Sequence, residues 1–188
     1  MHGWNPEGYA ELLGIKLPDK VRLSPPALAA RIDRILATTE ALMRCVDAGH
    51  FGWKPPERDR SVGNLGYHVF RVGLSFIDAV DRDGLQESWF GENAPADLRD
   101  GPALARYGAL VRARISGWFE GAAGDYATRM IHTYYGPQGA HELLERTTWH
   151  CGQHLRQLYD LFARLNLEPP EPLRKELFDG LPMPNSVW

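Results

Sequence analysis

The chain has 188 residues, of which 44% are hydrophobic and 24% charged, and its 21 basic and 24 acidic side chains give a formal net charge of −3. This composition is typical of a globular protein of one domain that is long enough to bury a core. The lack of a basic excess argues against a nucleic-acid partner, and no run approaches the roughly 18 apolar residues of a membrane span.

Two amphipathic helices are predicted in the first half of the chain. Ser24 precedes two prolines, which is typical of an N-cap followed by proline in the first helical turn, and Gly49 is placed as a C-cap glycine would be. A second predicted helix runs from near Ser61 to about Asp81. The apolar residues of the two helices recur at helical spacing: Leu28, Ile32, Ile35, Leu36, Leu42, Met43 and Val46 in the first, and Leu65, Val69, Val72, Phe76 and Ile77 in the second.

The second half contains two more predicted helices and a proline-rich tail. Residues 81–102 are rich in Asp, Gly and Pro and predict a long connection, with a short turn from Leu85 to Phe90. A third helix is predicted from Pro102 to Glu120, and a fourth from Pro137 to Leu165. The stretch 125–135 fits either an extended or an irregular conformation. The tail, residues 166–188, is too rich in proline for one helix and too apolar to be free, so we expect it to pack on the body.

These elements predict an all-α fold, a four-helix bundle with a long connection between helices 2 and 3 and a packed C-terminal tail. Four helices of about 20 to 28 residues can bury their apolar stripes only against one another. The domain organisation expected is a single domain, residues 1–188, with an N-terminal arm (1–23), the helical bundle (24–165) and the tail (166–188).

Three histidines are the candidate metal ligands. His150 and His154 stand four residues apart on the apolar stripe of the fourth helix, so both rings face inward, one turn apart. A buried imidazole needs a partner, and this spacing suits a metal clamp as well as a pair of structural histidines. His68 lies on the apolar stripe of the second helix and adds a third inward ring. Three imidazoles from two helices match the ligand set that leaves one coordination position open.

Two arginines each lie one helical turn from a candidate ligand. The planar guanidinium groups of Arg71 and Arg146 are suited to carboxylates, so either can hold an acidic substrate near a metal. The alternative is that each pairs with a helix carboxylate, such as Asp78, Glu142 or Glu145.

The two cysteines are interpreted as structural. Cys151 follows His150 by one residue, which rotates its side chain about 100° away from the ligand face. Cys45 and Cys151 are both expected to be small buried residues. Two cysteines are too few for a disulfide framework, and the N-terminus lacks the pattern of a signal peptide, so a cytoplasmic location is expected.

Two of these segments resemble a known family. Asn-Leu-Gly-Tyr-His at residues 64–68, together with His150-x-x-x-His154, resembles the DinB/YfiT superfamily, which includes mycothiol-dependent maleylpyruvate isomerases and bacillithiol S-transferases. Residues 145–157 and 180–184 are similar to a DinB-like branch that is sometimes fused to glutaredoxin-type domains, although the Cys-Pro-x-Cys motif of such domains is not present here. The likeness covers about residues 24–188.

The resemblance implies a divalent metal held by His68, His150 and His154. Zinc and nickel are the usual metals, and iron and manganese are also allowed. It further implies a low-molecular-weight thiol as a cosubstrate, a small-molecule substrate and a homodimer.

Three functions remain open at this point. The first is a metal-dependent thiol transferase or thiol-dependent isomerase that acts on a small electrophile, with Arg71 or Arg146 orienting an anionic group. The second is a metal-dependent hydrolase, which needs a general base, and no carboxylate is clearly on the inner stripe. The third is a non-catalytic metal-binding bundle with a role in stress response.

Overall fold

The computed structural model describes residues 22–188 and contains four long helices, which confirms the predicted all-α bundle. The predicted N-terminal arm falls almost entirely outside the described residues. The helices are α1 (Pro25–Arg44), α2 (Val62–Arg82), α3 (Gly101–Gly121) and α4 (Ala140–Arg164). Within the described range, none of the helices combines the length and apolar character needed to cross a membrane.

Side-chain caps fix the starts of three helices. The Oγ atoms of Ser24 and Ser61 accept hydrogen bonds from the third residue after each, at 3.4 and 3.2 Å. The Ser24 cap confirms the prediction, and the Ser61 cap explains why the second helix starts where it was expected. Asp100 caps α3 in the same way, at 2.7 Å. Each cap satisfies an amide that has no partner inside its helix.

The first helix is shorter than predicted. It ends at Arg44 with Cys45 as the C-cap, so the assignment of Gly49 to this role is wrong. The carboxylate of Asp47 accepts a hydrogen bond from the amide of His50 at 2.9 Å, and this cap starts a separate helical turn, Ala48–Phe51.

A β-hairpin precedes the fourth helix, so the predicted helix start at Pro137 is wrong. The strands β1 (Met130–Thr133) and β2 (Gly136–Gly139) pair antiparallel, and Gly136 has a φ of 119°, a conformation that favours glycine. Because residues 136–139 are paired with β1 in the hairpin, α4 begins only at Ala140. The hairpin accounts for most of the ambiguous stretch 125–135, whose first part is a 3₁₀ turn, Tyr126–Thr128.

The bundle places α2 against α4. Helix α1 packs mainly on α3 and α4, and α2 on α4 and α3. The predicted apolar stripes of α1 and α2 are buried in the shared core. A Cβ atom on Gly108 would lie 2.2 Å from the ring of Phe70, so only glycine allows α3 to approach α2 this closely. The contact between α2 and α4 is the one that positions the candidate site.

The long connection and the tail both pack on the helices. The connection between α2 and α3 contains a 3₁₀ turn, Glu87–Gly91, with the Trp89 side chain buried. The tail contains another, Lys175–Phe178, and buries Leu177 and Leu181 against the core. The structure therefore confirms the predicted packing of the tail.

Candidate metal centre

The structure brings the three predicted ligands together. His68 on α2 faces His150 and His154 on α4, and one ring nitrogen from each residue lies within 4.8 Å of the others. The ring centroids of His68 and His154 are 4.7 Å apart, and those of His68 and His150 are 5.6 Å apart. This group, called the His triad below, is close enough to hold one metal ion.

Two nitrogens of the His triad are buried without a hydrogen-bond partner. They are Nδ1 of His68 and Nε2 of His154. A buried polar atom left unsatisfied costs about 1 to 3 kcal/mol. A metal ion bound by the lone pairs of these rings would remove such a cost, and neutral imidazoles are donors that zinc-type ions prefer. The residues present therefore fit a divalent cation.

Burial keeps the three rings neutral. It lowers the pKa of His68 to about 2, with further contributions from His154, Arg60 and His150. It lowers the pKa of His154 to about 4 and places the pKa of His150 well below its usual value. Metal ligation requires neutral imidazoles, so the rings are in the correct protonation state at neutral pH.

Gln157 orients His154 from behind. Nδ1 of His154 lies 2.7 Å from Oε1 of Gln157, and since this oxygen only accepts, Nδ1 carries the proton and Nε2 presents its lone pair. The amide Nε2 of Gln157 donates to the carbonyl of Val187 at 2.8 Å, and that of Gln153 donates to the same carbonyl at 2.6 Å. The tail therefore holds the side-chain amide of Gln157 in place, and this amide holds the ring of His154 in its orientation. Sequence reasoning missed Gln157, although its position three residues after His154 is one from which a helical side chain can reach the ring.

Arg71 is engaged in ion pairs. Its Nε donates to Glu92 at 2.9 Å, its Nη1 to Asp78 at 3.3 Å, and its guanidinium lies 4.6 Å from the ring centre of Trp89. In this structure Arg71 therefore pairs with carboxylates, as the alternative to substrate binding predicts. These contacts tie the connection between α2 and α3 to α2, and we assign Arg71 to that role.

Arg146 stays next to the His triad. It forms no ion pair with any carboxylate in the described range, and its guanidinium lies 4.1 Å from the ring centre of Tyr135. Its charge contributes to the lowered pKa of His150. That Arg146 holds an acidic group of the substrate near the metal ligands stays a prediction.

Arg60 is a residue that sequence reasoning missed. It is half-buried in the loop before α2, and its Nη2 donates to the carbonyl of Phe90 at 3.2 Å. Its charge lowers the pKa of all three rings of the His triad. The sequence contained only a weak indication, the position of Arg60 directly before the Ser61 cap of the helix that carries His68.

The two cysteines differ in their burial. Cys151 is fully buried, its Sγ donates to the carbonyl of Val69 at 3.5 Å, and burial raises the pKa of its thiol. This confirms that Cys151 is a small buried residue. Cys45 is exposed, so the same prediction is wrong for it, because α1 ends one residue earlier and the cap residue faces solvent.

A surface groove lies away from the His triad. It has a volume of about 730 Å³ between the start of α1 and the end of α3 and is lined by residues such as Pro25, Ala29 and Phe119. Its lining contains no histidine or cysteine, and its Asp33 is paired with Arg112 at 3.1 Å. The chemistry-bearing residues are concentrated at the His triad instead.

Comparisons with known proteins agree with this fold. A family model described as the DinB superfamily matches residues 31–158, a range that includes the His triad. The crystal structure of the DinB-like protein YjoA from Bacillus subtilis is similar in fold, with a TM-score of 0.61 and 18% identity, and the match covers 77% of this chain and 96% of that chain. No curated protein matches the sequence significantly. Because the family model covers more than half of the sequence, the chain belongs to the DinB superfamily.

Proposed function

We propose that this protein is a metal-dependent thiol transferase or thiol-dependent isomerase that acts on a small electrophile, with His68, His150 and His154 as the ligands of one divalent cation. The observation that carries the proposal is the composition of the site. It combines three buried imidazoles with cationic neighbours, and within the described part of the chain the group of candidate ligands contains no carboxylate.

The chain's own residues provide a place for a thiol. A divalent cation held there would act as a Lewis acid and lower the pKa of a coordinated thiol. Three protein ligands leave a coordination position for that thiol. Hydrolysis would instead need a positioned general base, and the group of candidate ligands among the described residues includes no carboxylate. This difference favours the thiol reaction over the hydrolase.

We infer that the reacting thiol is not Cys151 and comes from outside the protein. Cys151 is buried, its pKa is raised, and its Sγ is directed at the backbone of α2 rather than at the His triad. A thiol that resists deprotonation and contacts no ligand ring is unsuited to act as a nucleophile.

The donors of this site favour zinc, nickel or iron over manganese. Imidazole donors suit zinc, nickel and iron, whereas manganese prefers carboxylate oxygens, and the His triad includes none. Metal analysis of untagged protein tests this assignment directly.

Cobalt substitution tests the thiol reaction. A sulfur ligand gives cobalt a charge-transfer band in the near ultraviolet, so the cobalt-loaded protein should show no band alone and should acquire one on addition of 2-mercaptoethanol, cysteine or glutathione. The band should form equally in Cys151→Ser. A band that is present before any thiol is added and absent in Cys151→Ser would show that the protein's own cysteine is the ligand. No band with any of these thiols, or with mycothiol or bacillithiol, would contradict the proposed function.

The homodimer and the cytoplasmic location stay predictions. Light scattering coupled to size-exclusion chromatography measures the first, and fractionation of cells that express the protein measures the second.

A further inference from the structure

Residues 184–188 of the tail lie along one side of α4. The backbone carbonyls of residues 184 to 187 all accept hydrogen bonds from α4 side chains. Arg156 donates to residues 184 and 185 at 2.7 and 3.4 Å, and Gln153 donates to residues 186 and 187 at 3.1 and 2.6 Å. Gln157 adds a second bond to the carbonyl of residue 187, at 2.8 Å. These bonds to four consecutive carbonyls fix the backbone of the segment relative to the helix.

Trp188 anchors the same segment. Its Nε1 donates to Oδ2 of Asp160 at 2.7 Å, and Asp160 also pairs with Nε of Arg164 at 2.7 Å. The guanidinium groups of Arg58 and Arg164 lie 5.5 and 5.4 Å from the centre of the indole ring, distances at which a cation is attracted to an aromatic ring. Arg58 belongs to the loop before α2, so the indole contacts both that loop and α4. Trp188 therefore holds the residue before it, Val187, next to α4.

The carbonyl of Val187 determines which way the amide of Gln157 points. A side-chain amide donates only through its nitrogen and accepts only through its oxygen. Because the carbonyl can only accept, the nitrogen of Gln157 must face the tail, and its oxygen then faces Nδ1 of His154 at 2.7 Å. Gln157 is only 9% exposed, so water has little access to replace the carbonyl of Val187 as its partner.

The orientation of this amide decides the tautomer of His154. With the oxygen of Gln157 facing the ring, Nδ1 carries the proton and Nε2 has a free lone pair. The reversed amide would present its NH₂ group to Nδ1, which would then accept, and the proton of the neutral ring would move to Nε2. A protonated Nε2 has no lone pair for a metal ion.

We propose that Trp188 is a positioning residue of the metal centre. Its docking on Asp160 keeps the carbonyl of Val187 at Gln157, and this carbonyl selects the amide orientation that gives His154 the metal-binding tautomer. The inference rests on the metal site of the proposed function and is independent of the thiol reaction. It gives the tail a role in metal binding in addition to its packing on the core.

Zinc affinity, measured by competition with a chromogenic chelator, tests the proposal. Loss of an outer partner of a metal ligand weakens binding about 10- to 100-fold, and Trp188 acts one contact further out, so we expect Trp188→Ala to weaken zinc about fivefold. Trp188→Phe loses the bond to Asp160 but keeps an aromatic ring beside the two arginines, and it should restore part of the affinity. It also replaces Trp188→Ala if that variant does not fold, as judged by circular dichroism.

Arg31→Gln is the matched control for general loosening of the tail. Nη1 of Arg31 donates to the carbonyls of Glu176 and Asp179 at 2.7 and 3.1 Å, so this residue ties another part of the tail to α1. None of these contacts leads to Gln157. Arg31→Gln should therefore bind zinc like the original protein, and a loss equal to that of Trp188→Ala would overturn the proposal.

A double-mutant cycle shows whether Trp188 acts through Gln157. In the Gln157→Leu background, Trp188→Ala should cause no further loss of zinc affinity, because the amide that it orients is already absent. A further fivefold loss in that background, or unchanged affinity in Trp188→Ala alone, would overturn the proposal. An original protein that binds no zinc would contradict the metal site of the proposed function, and the inference with it.

Nitrogen NMR of the histidine rings in the metal-free protein measures the tautomer without any metal. The signals of His154 are assigned by their absence in His154→Ala. The ring should carry its proton on Nδ1 in the original protein and in Arg31→Gln, whereas Trp188→Ala should show a fraction protonated on Nε2. A ring that stays protonated on Nδ1 in Trp188→Ala would overturn the proposed role of Trp188 even if zinc binds to the original protein.

Discussion

Helix α2 contributes to two polar clusters that are built in opposite ways. In the paired cluster, Arg71 is buried between Asp78 and Glu92, and Asp78 also accepts from Arg114 at 2.6 Å. One turn earlier on the same helix, His68 belongs to the His triad, where two nitrogens lack hydrogen-bond partners and where Arg60 pairs with no carboxylate of residues 22–188. Buried charges that form ion pairs within the chain are part of the folded structure. Buried polar groups that have no partner in the chain are candidates for binding a ligand. The comparison predicts opposite consequences for mutations in the two clusters.

Removal of a triad ligand should have the largest effect. We expect His154→Ala to reduce metal content from about one ion per chain to a small fraction of that, because two ligands bind a divalent cation far more weakly than three. The metal-free variant should remain folded, since the substitution loses one hydrogen bond, to Gln157, and removes a buried nitrogen that had no partner. Elemental analysis and thermal melting measure both quantities. His132→Ala, whose side chain is 79% exposed, is the control, and full metal content in His154→Ala would refute the ligand assignment.

Removal of a carboxylate from the paired cluster should instead destabilise the fold. Asp78→Ala leaves the buried guanidinium of Arg71 with Glu92 alone, and breaking a buried ion pair costs about 3 to 5 kcal/mol of unfolding free energy. Urea denaturation measures this loss, and metal content should not change. Glu168→Ala, an exposed carboxylate, should leave the stability within about 0.5 kcal/mol. A loss below about 1 kcal/mol in Asp78→Ala would show that the cluster is not a buried network.

Acid should destabilise the metal-free protein through the His triad. The folded-state pKa values of His154, about 4, and His68, about 2, lie below the ordinary histidine value of about 6.5, so the unfolded chain binds more protons. The contribution of the neutral rings to the free energy of unfolding is therefore complete above about pH 6.5, and it is lost as the pH falls towards the folded-state pKa values.

As the pH falls from 6.5 to 5.5, the free energy of unfolding should decrease by about 1 kcal/mol for each ring, or roughly 3 kcal/mol for the whole triad. Denaturation of chelator-treated protein at several pH values measures the slope. We expect His154→Gln to reduce it by about one third, whereas the surface variant His132→Gln should not. A slope that is the same in all three proteins would contradict the burial of neutral rings.

Loss of the hydrogen bond between His154 and Gln157 should have the smallest effect. Gln157→Leu removes the acceptor of the Nδ1 proton, and loss of such a partner lowers metal affinity about 10- to 100-fold. Competition with a chromogenic chelator measures the affinity. Gln153→Leu is the matched control, because it loses two hydrogen bonds to the tail, to the carbonyls of Ser186 and Val187, whereas Gln157 also bonds a ligand ring. Equal losses in both variants would assign the effect to docking of the tail rather than to orientation of the ring.

The His triad was predictable because it depends on local spacing. Residues three and four apart share one face of a helix, so the apolar stripes placed His68, His150 and His154 on inward faces before the helices were packed. The Ser24 cap was predictable for the same reason. The start of α4 was not, because strand pairing across a turn competes with helix formation for the same backbone groups, and a glycine–proline pair is compatible with either.

The sequence by itself therefore determined the helices, their inward faces and the candidate ligands. Only the tertiary structure decided which polar groups are matched. Arg71 pairs with Glu92 across 21 residues, Arg60 meets Phe90 across 30, and Gln157 reaches the tail across 30. Such contacts depend on how connections fold back over the bundle, and helical periodicity contains no information about loops distant in sequence. The physical reason is that side-chain direction is set within one helical turn, whereas the pairing of charges is set by the packing of the whole chain.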